Sequence, residues 1–160
     1  MSTRSSIALE YADGTVESVY CHFDGYLEHN GKLLFQHWRD SFKLEQLINH
    51  GDLSSLGQEL GQKHSIRNPY AWGTDDFLDW KNKYAKWSKF YGRDNQEDDC
   101  QKKSYRNIQE YLENQQWRDY NYILRTTNGV ATWFVSFYEE KKFIELVDAF
   151  RDIDIIDYDS

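Results

Sequence analysis

The stretch Val19-Tyr20-Cys21-His22-Phe23-Asp24-Gly25-Tyr26, continued by Leu27-Glu28-His29-Asn30-Gly31, concentrates more potential chemistry than any other part of the chain. It sets one thiol, two imidazoles, two carboxylates and two phenols beside two tight-turn signals, Asp24-Gly25 and Asn30-Gly31. On a strand, Cys21 and Phe23 face one way while His22 and Asp24 face the other. His22 and Asp24 could then meet, the carboxylate orienting the imidazole as a general base. The same alternation separates Cys21 from His22 and argues against a Cys–His nucleophilic pair. The plainer alternative is a buried cysteine, a hydrogen-bonded histidine and an Asx turn.

A ligand site built on this stretch would use Tyr20, His22, Asp24, Tyr26, His29 and Asn30, joined in space by His37 and Arg93. Arg93, in the turn Tyr91-Gly92-Arg93-Asp94, could hold a phosphate or carboxylate bidentately, or could pair with Asp94. The five histidines His22, His29, His37, His50 and His64 lack metal-ligand spacing, although His22, His29 and His37 could converge. No metal and no cofactor is therefore expected, and nucleotide-binding and hydrolase loops are absent. Residues 80–91 interleave lysines with Trp, Tyr and Phe. That pattern suits either stacking on single-stranded bases or an amphipathic element with its rings inside. Direct nucleic-acid binding would run only through Lys81–Arg93. The acids Asp148, Asp152, Asp154, Asp157 and Asp159 could imitate a phosphate backbone or form a solvated end.

Two β-hairpins would position this chemistry. The first pairs residues 5–11 with 16–23 around Asp13-Gly14. The second pairs 119–127 with 130–138 around Asn128-Gly129, a type I′ signal. Lys32–Trp38 and Ser41–His50 read as helices, the second capped by Ser41. Residues 52–57 read as a turn or one helical turn and 57–74 as a long loop. A helix near 75–84 and a further strand near 86–91 follow, then a helix over Tyr105–Asn114. Glu139–Phe150 reads as an amphipathic helix, and 151–160 as an acidic tail. The sum is an α+β domain over 1–160, its mainly antiparallel sheet covered by helices on one face.

Composition narrows the class. The chain has 160 residues, enough for one core, and 17% of them are aromatic, so large rings fill much of that core. The net charge of −8 disfavours nucleic acid and anionic membrane. Charge is segregated: residues 80–106 hold eight basic groups against four acids, and residues 139–160 hold eight acids against three basic groups. No apolar leader or membrane-spanning run is visible, and two cysteines, Cys21 and Cys100, make no disulfide framework. A cytoplasmic, reduced protein is expected.

Several short motifs point to a context. They begin with Ser5-Ser6-Ile7-Ala8, Asp13-Gly14-Thr15-Val16 and the Val19–Tyr26 run, continue with Asn30-Gly31 and His37-Trp38, and end with Gly51-Asp52-Leu53-Ser54-Ser55-Leu56 and Tyr91-Gly92-Arg93-Asp94. Together they resemble a family of small proteins encoded mainly by tailed bacteriophages. That family shows an N-terminal SxIA…DGxVxxVYCHxDGY…NG signature and a later YGRD. The specific match covers about the first third of the chain. The resemblance implies a context and no reaction: an accessory protein in the cytoplasm of an infected bacterium that binds a host or phage macromolecule, or a small charged ligand, and inhibits a host or defence process. A small hydrolase using His22 and Asp24, and an acidic DNA mimic, are the alternatives.

Overall fold

The computed structural model describes residues 2–64, 69–115, 118–138, 140 and 142–153. The first half contains β1 (Ser5–Glu10), β2 (Val16–Cys21), α1 (Lys32–His37), α2 (Ser41–Asn49), β3 (Leu53–Ser55) and α3 (Asp75–Tyr84). The second half contains β4 (Lys89–Phe90), α4 (Tyr91–Asn95), β5 (Lys103–Tyr105) and α5 (Ile108–Glu113). It ends with β6 (Tyr120–Thr127), β7 (Val130–Phe137), β8 (Ile144–Glu145) and α6 (Leu146–Asp152). The strands form one α+β sheet in the order β4-β3-β2-β1-β6-β7-β8, with β5 also on β2.

Both expected hairpins form. Asn128 and Gly129 have φ of 53° and 79°, as a type I′ turn requires. The hairpins lie side by side through a parallel pairing of β1 with β6, Ser5 opposite Tyr120 to Leu9 opposite Leu124. β1 is thereby central. Ile7 and Leu9 enter the main core with Trp38, Leu44, Tyr122 and Phe150 beneath α1, α2 and α6. On the other face, Ala8 and Val16 meet Tyr111 and Ile123 beneath α5. Helices therefore stand on both faces, α5 on the second. Ser6 of β1 meets α5 there: the Tyr111 phenol lies 2.5 Å from Ser6 Oγ and 3.1 Å from the Tyr122 carbonyl. Ser6 in turn donates to Asn121 Oδ1 at 2.6 Å.

The remaining differences come from pairing with distant segments. The strand expected near 86–91 is present as the short β4. Residues 53–55, read as turn, form β3, because Leu53 pairs with both Cys21 and Phe90. Residues 144–145, read as helix, pair with Phe134 and Val135, so the helix begins only at Leu146. Lys103–Tyr105 pair with β2, and α5 starts after Asn107, whose side chain accepts from the Glu110 amide. The α2 cap is Asp40 rather than Ser41; its carboxylate accepts from the Phe42 amide. Most of the acidic tail, 154–160, lies outside the described residues.

Removing the Tyr111 hydroxyl leaves Ser6 and the Tyr122 carbonyl short of a partner in a sealed core. Tyr111→Phe is expected to lower unfolding stability by about 1–3 kcal/mol, read as a lower denaturant midpoint at unchanged m-value.

Candidate functional site

The turn after β2 is built around Asn30, which is fully buried. Its Nδ2 lies 3.3 Å from Ser5 Oγ, 3.4 Å from Cys21 Sγ and 3.4 Å from the Phe23 carbonyl. Its Oδ1 lies 2.9 Å from His29 Nδ1. One amide therefore ties β1, the end of β2 and the wide helical turn Leu27–Gly31 together. Gly25 seats against the Thr3 carbonyl, where an added Cβ would come within 2.8 Å, and its own carbonyl accepts from Tyr122 at 2.7 Å. Asp24 takes φ of 58°, an uncommon conformation for a residue with a side chain.

That backbone changes the expected partnerships. β2 ends at Cys21, and Asp24 turns out of the strand alternation, so His22 and Asp24 do not pair. The His22 Nδ1 instead lies 2.6 Å from the Tyr20 hydroxyl, and its ring meets Phe23 edge-on at 4.5 Å. Asp24 lies beside Tyr26, and its charge raises the pKa of that phenol. Tyr26 and His29 have ring centroids 6.1 Å apart. Cys21 is buried, and burial pushes its thiol up to about 12, so it stays protonated and unreactive. His37 ends α1, where its carbonyl takes the Lys43 ammonium at 2.7 Å. Among the described residues no three His, Cys, Asp or Glu side chains gather to hold a metal.

Arg93 does not join this turn. Its guanidinium donates to the Leu60, Gly61 and Ser88 carbonyls at 3.0, 3.2 and 3.0 Å. It also grips Asp94 at 2.9 and 3.1 Å. Asp94 has no exposed side-chain surface and accepts from the His64 and Phe90 amides as well. The pair anchors the 57–64 loop to β4, a structural use that the sequence reading held beside anion binding. Cutting it leaves a buried carboxylate uncompensated, so Arg93→Ala is expected to cost about 3–5 kcal/mol in denaturant unfolding. Unchanged stability would restore Arg93 as a free ligand-binding group.

The interleaved 80–91 segment folds with its rings on one another and on Phe77. Phe77, Trp80, Tyr84 and Trp87 follow at centroid distances of 6.2, 6.4 and 5.1 Å, while Lys81, Lys83 and Lys86 are exposed. In the C-terminal acid series, Asp148 pairs with Arg151 at 3.3 Å and Asp152 is exposed. Asp154, Asp157 and Asp159 lie outside the described residues.

Sequence reasoning missed two features. One is Trp72, 81% exposed just before α3. The other is a polar cavity of about 30 Å³ between β2 and α5, lined by residues that include Tyr20, Asp52, Lys103, Gln115 and Arg118. Asp52 Oδ1 accepts from the Tyr20 amide at 2.9 Å, and the Arg118 guanidinium lies 4.5 Å over the Tyr20 ring. The signal was Asp52 itself, one of the motif residues in Gly51–Leu56. Burial raises the Asp52 pKa. A carboxyl raised on folding penalises the native state above that pKa, and the penalty vanishes below the unfolded value. Asp52→Asn keeps an acceptor for Tyr20. It is expected to be at least as stable as wild type at pH 7, the difference closing at pH values below the unfolded pKa of about 3.9.

No family model, curated protein or solved structure matches the chain. Among the described residues no helix is long and apolar enough to cross a membrane.

Proposed function

We propose that this chain is a non-enzymatic bacteriophage accessory protein that binds a host or phage protein through the Tyr20–Asn30 turn and thereby inhibits a host or defence process. The observation that carries this reading is the contrast across the turn. Asn30 is sealed beneath it, while Phe23, flanked by the His22 ring, is 45% exposed. An apolar ring held outward on a fixed backbone binds without first being ordered, which lowers the entropic cost of association. Aromatic groups so presented are common anchors at protein interfaces. The net charge of −8 favours a protein partner over nucleic acid. Catalysis by His22 has less support, because its Nδ1 is held by Tyr20 and Asp24 lies with Tyr26.

The test is affinity capture from infected-cell lysate with wild type and a His22→Ala, Phe23→Ala double variant in parallel. Wild type should retain one stoichiometric protein. The variant, with an unchanged melting temperature, should lose at least tenfold in affinity, about 1.4 kcal/mol. Equal capture by both proteins, or none by wild type, would refute the reading.

A further inference from the structure

Helix α3 carries an arrangement that neither the hairpins nor the turn uses. Thr74 caps it, accepting from the Phe77 amide, and Phe77 is buried beneath it. The outer surface is open. Asp75, Asp76 and Asp79 are exposed in its N-terminal half, and Lys81, Lys83 and Lys86 are exposed in its C-terminal half and just beyond. Between them Leu78 is 48% exposed and Ala85 is exposed, and Trp72, itself largely exposed, packs on Phe77 with ring centroids 4.5 Å apart. Leu78 and Ala85 are seven residues apart, so they lie on one side of the helix.

We infer that this surface pairs with α3 of a second copy of the chain, antiparallel across a two-fold axis. A two-fold contact uses one patch twice and so must be complementary to itself. The exposed surface of α3 meets that condition, because its acidic half and basic half exchange places under an antiparallel two-fold. Setting Leu78 opposite Ala85 brings Asp75 and Asp79, which share one flank of that seam with Lys86, each within two residues of the partner copy's Lys86. The small Ala85 gives Leu78 room, and each Trp72 closes over the far end of the other helix. A nucleic acid fits less well, since three carboxylates stand beside the exposed tryptophan.

The apolar contribution is small. Each aromatic side chain buries about 150–250 Å², so two Trp72 and two Leu78 side chains supply less than a standard interface. The dimer therefore belongs to the weak class, with a dissociation constant on the order of micromolar. Because the charges are exposed, salt should weaken it. This inference stands independently of the partner-binding role of the Tyr20–Asn30 turn.

Sedimentation velocity decides it, using the whole chain. Wild type should pass from monomer to dimer with rising concentration at low salt. Two charge-reversed proteins, one with Asp75→Lys, Asp76→Lys and Asp79→Lys, the other with Lys81→Glu, Lys83→Glu and Lys86→Glu, should each remain monomeric. Mixed in equal amounts they should form a heterodimer. A wild type that stays monomeric, reversed proteins that still dimerise alone, or a mixture that stays monomeric would each overturn the proposal. Should reversal unfold the helix, Trp72→Ser, which lies outside it, provides the second reading. The proposal needs at least a tenfold weaker dimer, and an unchanged one refutes it.

Discussion

The structure depends on the parallel pairing of β1 with β6. Each hairpin alone would be marginal in water. Joined through Ser5–Leu9 and Tyr120–Leu124, they become a single twisted sheet with β1 at its centre. A central strand buries both faces, so its alternate side chains need two different partners. Ile7 and Leu9 meet the helices of the main core, while Ser6 and Ala8 meet Tyr111 and Ile123. The polar member of the second set is accommodated only because Tyr111 and Asn121 complete its hydrogen bonds. Buried polar groups of this kind specify one arrangement, since any slip in register strands a hydroxyl without a partner.

The same economy of buried polar groups shapes the candidate site. Asn30 and the Arg93–Asp94 pair each tie several segments of the chain together. Asn30 holds the chain just after β2, and Arg93–Asp94 holds the loop between β3 and α3 to β4. Both lie in motifs that look reactive on paper. Their donors and acceptors face inward: Asn30 to the Phe23 carbonyl and to the side chains of Ser5, Cys21 and His29, Arg93 and Asp94 to carbonyls and amides that the irregular backbone would otherwise leave unsatisfied. Phe23 on the turn and Trp72 beside α3 are among the large apolar side chains that remain outward.

Charge acts on a longer scale than these contacts. The basic middle of the chain does not form one basic face. Arg93 is buried with Asp94, Lys102 lies 2.8 Å from Glu17, and Arg106 pairs with Glu110. The lysines on and just after α3 stay exposed, and their counterpart is the acidic half of the same helix.

The sequence by itself determined the two hairpins, the type I′ turn at Asn128-Gly129, α2 and α3, because each follows from local turn chemistry or helical periodicity over a few residues. It also held the structural role of Arg93 and Asp94 as one of two readings. Only the tertiary structure decided that Leu53–Ser55 and Ile144–Glu145 are strands, that α5 covers the second face, and that His22 turns to Tyr20. Each of those outcomes depends on a partner far away in the chain or on the backbone twist at Asp24. Short segments of ambiguous propensity take whatever conformation satisfies their hydrogen bonds against a distant neighbour, and no local pattern records which neighbour that will be.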